Sequence, residues 1–417
     1  MMEWRTKEEF GILSLKQRAE FTDEQLMERL ENLLPGMMER HKTDMWIMAA
    51  REYNEDPLLE TFFPAAIDSS RRLTILVFSR TDEGKVERLA LHPNPKWEPY
   101  YKRDWQMSRE TQFEALSRIV IERSPRRAAL NFSNVHAVCD GVTHSLFKQI
   151  REAVKSSPET EVMSSEALAV EWLETRTERE LVVYSQIAWL TREIASEVLT
   201  GTIIPGKTHT QDMVDWIRQR VHDLGLKTSF YPTVDVQRQG EGNTRMDTII
   251  LPGDIVHLDF GLHYLGLATD TQLLAYVLKP GETELPEGLK KAMSIANRLE
   301  DIISANFAEG KTGNKIYHES MAEAEGEGIK AMIYSHPIGV HCHGAGPVLG
   351  LYDLQGNVPV RGEYPVRDKT CYAMEFNITC FVQEWNQEVT LFMEESTAFA
   401  DGRLCFLTSR QTEFLKA

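Results

Sequence analysis

The chain has 417 residues, enough for two or three domains, and its 42% hydrophobic and 26% charged residues are ordinary for a soluble protein. Its net charge of −17 argues against nucleic-acid or anionic-membrane partners, which select basic patches, and no apolar run nears the ~18 residues of a membrane span. Five cysteines without Cys-x-x-Cys spacing read as reduced thiols of a cytoplasmic protein, and the charged N-terminal stretch is no signal peptide.

Residues 22–34 have helical spacing (Leu26, Leu30, Leu33, Leu34), with Asp23 as cap and Pro35-Gly36 as the stop. Apolar runs at 44–50, 73–78, 86–91 and 128–132 predict strands, and 109–122 and 143–154 predict helices. Strands alternating with helices imply an α/β domain around a central sheet. This half shows neither a phosphate-binding glycine loop nor a cluster of metal-ligating residues. The stretch Ser156–Thr160 marks a boundary, and we divide the chain into residues 1–165 and 166–417.

Beyond it, a helix over 177–199 opens with a Thr177/Glu180 capping box. A second helix, 210–224, ends before Gly225. Strands follow, then helices at 288–307 and 313–325, then a strand-rich remainder from 331 to 417. Helix pair, strands, helix pair, strands suggests a duplicated half, each half a helix pair with an antiparallel sheet. The overall class is α+β.

The most informative stretch is 253–273, where Asp259 and Asp270 flank a connection containing Gly261 and Gly266. Apolar runs on both sides predict two antiparallel strands. Two acids brought together that way repel, so a cation lies between them or one stays protonated. Downstream come His336, Glu375 and the pair Glu394/Glu395. Four carboxylates and one imidazole balance two divalent cations, and the oxygen-rich set suits manganese, iron or cobalt over a thiolate zinc site. Two such metals activate water to hydroxide and polarise a carbonyl, which is equipment for hydrolysing an amide. Val389, Leu391 and Met393 share one strand face, so Glu394 points the other way and is preferred as the last ligand, with Glu395 as alternate.

Residues 259–270 resemble the Asp-x-Gly-x-x-Tyr-x-Gly-x-x-x-Asp signature of the pita-bread metallohydrolases, which include methionine aminopeptidase, aminopeptidase P, prolidase and creatinase. His336-Pro337-Ile338-Gly339 with His343 resembles the family's histidine stretch, and Glu375 and Glu394 fall where its last ligands stand. The resemblance spans about residues 170–405, and the preceding segment is similar to a creatinase-type N-terminal domain. It implies a pita-bread catalytic domain and a homodimer. It implies two divalent ions (manganese first; cobalt, iron or zinc as alternates) held by Asp259, Asp270, His336, Glu375 and Glu394. Glu375 then also takes a proton from the bridging water, and His343 steadies the carbonyl oxygen.

The implied activity is that of an Xaa-Pro aminopeptidase or prolidase acting on small peptides. The rival readings are a creatinase-like C–N hydrolase acting on a small amide, and a silent pita-bread binding module. Three departures bear on that choice. Glu241 and Gly242 stand where family peptidases carry a histidine facing the leaving group, so Arg238 or Glu241 is expected to substitute in binding substrate. Gly344 replaces a common acid, and Phe392 replaces a common arginine. His257, His263 and His341 read as structural, and Cys342 as a buried, inert thiol.

Overall fold

The structure is a computed structural model that describes residues 4–242 and 244–417; Met1–Glu3 and Asn243, which belong to stretches weighed above, lie outside the described residues. Two compact units emerge, one spanning Leu13–Leu173, the other Glu174–Ala417 together with the segment ending at Ile12. Among the described residues no helix is long and apolar enough to cross a membrane.

The first unit runs α1 (Leu15–Glu28), α2 (Leu34–Arg40), β1 (Met45–Arg51), α3 (Pro57–Glu60), β2 (Leu73–Arg80), β3 (Val86–Leu91), β4 (Lys102–Arg103), α4 (Gln112–Arg123), β5 (Arg127–Leu130), α5 (His144–Val154) and β6 (Glu161–Ser164), then α6 (Glu166–Glu174). Its sheet has the order β4-β3-β2-β1-β5-β6. Met45, Ile47 and Ala49 alternate onto the face covered by Leu116, Ile119 and Val120 of α4 and Leu146 and Ile150 of α5. The opposite face carries Trp46, which meets Phe62 and Phe78 edge-on or tilted.

The first helix departs from the reading of its sequence. It starts at Leu15, where Ser14 and Gln17 form a capping box, and Asp23 is no cap, since it accepts the Ala65 amide at 2.8 Å. Pro35-Gly36 does not stop it either. A π-helical turn at Arg29–Leu33 comes between, so Pro35 falls in the first turn of α2, where its missing N–H leaves no bond unmade. The Ser156–Thr160 stretch leads into β6, which pairs with β5 and completes this sheet.

The second unit opens with α7 (Glu178–Gly201), capped by the Thr177/Glu180 box, and α8 (Thr210–Asp223). There follow β7 (Lys227–Thr228), β8 (Thr233–Gln237), β9 (Ile255–Phe260), β10 (Leu262–Tyr264), β11 (Leu267–Ala268) and β12 (Thr271–Tyr276). The second helix pair is α9 (Glu287–Asn306) and α10 (Gly313–Gly326), and then come β13 (Lys330–Ile333), β14 (His336–Ile338), β15 (Thr370–Val382), β16 (Gln387–Ala400), β17 (Arg403–Phe406) and β18 (Leu415–Lys416). The main sheet has the order β13-β15-β16-β12-β9-β8, with β14 on β15, β17 on β16 and β18 on β12. The expected order of helix pairs and strands is what the chain adopts.

One face of that sheet is apolar. Met374, Phe376 and Ile378 of β15 and Leu391 and Met393 of β16 pack with Leu289, Met293, Leu299 and Ile303 of α9 and Ile316 of α10. Each such side chain contributes about 1.5–3 kcal/mol when buried. Period-two alternation then sends Glu375 and Glu394 to the other face.

A polar group interrupts the packed face. Glu300 of α9 is fully buried; it accepts from Asn297 at 3.0 Å and meets Arg410 at 3.3 Å. Burial, reinforced by the nearby Glu395 charge, pushes its carboxyl up to about 8. A raised folded-state value means that its contribution is fully present below the unfolded value and is lost as pH rises through about 8. Glu300→Gln should therefore raise the melting temperature by about 2–4 °C at pH 9 and change it little at pH 5, measured by scanning calorimetry. Equal shifts at both pH values would refute the assignment.

Candidate metal centre

Strand register assembles the site. Asp259 lies opposite Gln272, Gln272 opposite Glu394, and Glu394 opposite Glu375. Directly paired residues share a face, so one row across β9, β12, β16 and β15 carries three acids and an amide. Asp270 precedes Gln272 by two and faces the same way. His336 pairs with Ala373, two residues before Glu375, and joins from β14.

The connection between the first two acids is shaped by glycine. Leu265 and Gly266, both with positive φ, form the two-residue turn between β10 and β11. At Gly261 a Cβ would meet Ser229 Oγ and the Thr269 carbonyl at 2.1 Å, so no larger residue fits.

The ligand-type atoms converge as three overlapping groups, each within 4.8 Å: Asp259, Asp270 and Glu394; His336, Glu375 and Glu394; Asp270, His336 and His343. The His336 ring donates from Nδ1 to the Pro337 carbonyl at 3.1 Å, which leaves Nε2 as a bare lone pair. That lone pair faces Asp270 Oδ2, Glu375 Oε2 and Glu394 Oε1, each at 3.7 Å. Burial depresses the imidazole to about 3, so the ring is neutral. Burial also pushes Asp259, Asp270, Glu375 and Glu394 upward, and for the last three mutual repulsion adds to it.

Several atoms of the cluster lack partners. Among the described residues, His336 Nε2, Asp259 Oδ1 and both oxygens of Glu394 are buried without a hydrogen bond. Buried polar atoms are seldom left so, and lone pairs aimed at one another invite a cation. The residues present fit a divalent metal pair: carboxylate oxygens with one neutral imidazole, in groups that overlap at Asp270, His336 and Glu394.

His343 comes to the edge of this cluster, its ring 4.6 Å from that of His336 in a T-shaped contact. The loop that carries it folds back because the Gly344 amide donates to the Pro337 carbonyl at 2.7 Å. A Cβ at Gly344 would approach that carbonyl at 2.9 Å, which accounts for glycine there. Glu395 is not in the cluster. It lies on the opposite side of β16, accepting from Arg192 at 3.0 Å and from the Gln411 amide at 2.5 Å.

Nor does the structure bring Arg238 to the acids. Thr233 pairs with Asp259 and Gln237 with Ile255, so Arg238 sits past the far end of β8, roughly 16 Å along the strand. Its guanidinium is held by both oxygens of Asp254, at 2.7 and 2.8 Å, and by the Ile249 carbonyl. Glu241 is likewise engaged, with Arg245. The Cys342 thiol donates to Asp270 Oδ2 at 2.9 Å, and burial holds it far above its ordinary value.

Gln272 and Arg361, passed over in the sequence, and His257, read there as structural, stand beside the site. Gln272 donates to Glu375 Oε1 at 2.7 Å, and His257 joins Gln272 to Asp235. Both ring nitrogens of His257 face acceptors; burial opposes its charge, but the Asp235 hydrogen bond and charge outweigh that and raise its pKa. Arg361 is half-buried, and its charge adds a little to the burial that depresses His343 and His336, yet its guanidinium bonds to no side chain or carbonyl among the described residues. Alternation could have flagged His257 and Gln272; nothing local marks Arg361.

The sequence pattern of metallopeptidase family M24 matches residues 186–394, half of the chain. No curated protein matches it. Among solved structures, the X-Pro aminopeptidase of Thermotoga maritima has a TM-score of 0.65 at 15% identity, over 91% of this chain and 99% of that one. The Xaa-Pro dipeptidase of Bacillus anthracis has 0.60 at 14%, over 97% and 100%. Zinc-substituted E. coli aminopeptidase P in complex with product has 0.59 at 12%, over 98% and 97%. Their likeness is one of fold, the pita-bread architecture with a smaller N-terminal domain.

Because the buried acids repel without a cation, Asp270→Asn should raise the melting temperature of chelator-treated protein by about 2–4 °C. A lower midpoint in differential scanning fluorimetry would contradict the repulsion.

Proposed function

The chain belongs to metallopeptidase family M24, and from that premise we propose that it is a dinuclear-metal hydrolase whose leading substrates are Xaa-Pro dipeptides. The observation that carries this reading is the set of converging buried atoms that no described protein group hydrogen-bonds: His336 Nε2, Asp259 Oδ1 and both oxygens of Glu394. Asp259, Asp270, His336, Glu375 and Glu394 would hold the two ions, with manganese favoured by the oxygen-rich set. Bound there, the ions supply the charge that polarises a carbonyl and acidifies water.

The remaining work falls to side chains. Glu375 has one oxygen tied to Gln272, so Oε2 is the atom that takes a proton from the attacking water and returns it to the leaving nitrogen. His343, at the rim, donates to the carbonyl oxygen as negative charge develops on it. Arg361 offers a guanidinium fork to a carboxylate. A carboxylate held there beside the histidines favours a dipeptide, whose free C-terminus lies one residue past the scissile bond. A small amide carrying a carboxylate, of the creatinase-like kind, meets the same arginine.

Manganese-loaded protein should cleave Xaa-Pro dipeptides faster than the same dipeptides with an amidated C-terminus. Arg361→Leu should raise KM for the free acid about 10–100-fold, with kcat less affected, as loss of a charged hydrogen-bond partner does. Glu375→Gln should lower kcat by about 10²–10⁴-fold in steady-state assays, metal content being measured alongside. If metal-loaded protein cleaves small amides and no proline peptide, the peptidase assignment is lost and the amide reading takes its place.

A further inference from the structure

Gln272 is an unusual occupant of its row. Its paired neighbours are Asp259 and Glu394, both among the proposed ligands, yet it carries no charge. Its amide nitrogen donates to Glu375 Oε1 at 2.7 Å, which turns its carbonyl oxygen toward His257 Nε2 at 3.0 Å. That ring nitrogen must donate. The other, Nδ1, bonds to Asp235 Oδ2 at 2.8 Å. The polarity thus runs one way, from His257 through Gln272 to Glu375, with Asp235 anchoring the ring.

Asp235, His257, Gln272 and Glu375 come from β8, β9, β12 and β15, so the string crosses the sheet. Asp235, His257 and Gln272 are at most 9% exposed, and the Phe392 ring lies 5.4 Å from the His257 ring. Water has little access to compete for these bonds. One Glu375 oxygen is held by the amide, and the other is left 3.7 Å from His336 Nε2.

We propose that Asp235, His257 and Gln272 form a positioning string that locks the Glu375 carboxylate, with Oε1 occupied and Oε2 left facing His336 Nε2 as the atom that would bind metal. The inference rests on the metal-site reading above. Gln272 and His257 are positioning residues, since each acts on the site through Glu375. Partners of this kind, bonded to a ligating side chain, typically change metal affinity 10–100-fold when lost.

The test is calorimetric titration of chelator-treated protein with cobalt(II). The variants are Gln272→Met, His257→Leu, the double variant and His257→Gln, which keeps a donor for Gln272. Gln272→Met should weaken cobalt binding about 10–100-fold, and His257→Leu should weaken it in the same direction. The double variant should bind no more weakly than Gln272→Met alone, because the string reaches the ligand only through Gln272. His257→Gln should recover most of the loss. A general loosening of the fold would give additive losses and no rescue, and either outcome overturns the string. If His257→Leu fails to fold, Gln272→Met, of similar volume, decides by itself: wild-type cobalt affinity overturns the proposal. Wild-type protein that takes no cobalt overturns the metal-site reading and the string together.

Discussion

Four carboxylates, two buried and two half-buried, and the lone pair of a neutral histidine point at one another across a few ångströms, and the second unit is built to keep them there. Left in water, such groups would separate and hydrate. Here they are fastened to neighbouring strands whose backbone ladders leave no freedom to move apart. The electrostatic cost concentrated at this point is what gives the cluster its avidity for positive charge.

What resists that cost is the other side of the same sheet. β15 and β16 pair along thirteen consecutive residue pairs, and their apolar alternate side chains pack with α9 and α10. An apolar face and an acidic face are two consequences of one alternation, so the residues that stabilise the sheet also fix the direction of the acids. Glu394 and Glu395 make the point, being adjacent in the chain and of identical chemistry. The first meets the cluster, whereas the second is neutralised by Arg192 and the Gln411 amide behind it.

Around the acids the chain departs from the pattern it otherwise resembles. Phe392 lies against His257, and His257, Gln272 and Asp235 supply the bonds that reach Glu375. Gly344 is glycine because the loop carrying His343 doubles back onto Pro337. Arg361 adds a cation near the two histidines that bonds to no side chain among the described residues.

Much of this was legible in the residues taken one after another. The Thr177/Glu180 box marks a helix start, and the acid-glycine-acid stretch marks two strands, because capping and alternation are local physics. Local rules also misled: Pro35 was read as a stop, whereas a π-helical turn before it lets the helix resume. Other facts depended on segments far apart in the chain. That Arg238 is spent on Asp254, that Gln272 reaches Glu375 past more than a hundred intervening residues, and that Arg361 approaches His343, are matters of strand order and register. Period and propensity say which face a side chain takes; only the folded sheet says which distant partner shares that face, because pairing is settled by the packing of the whole unit.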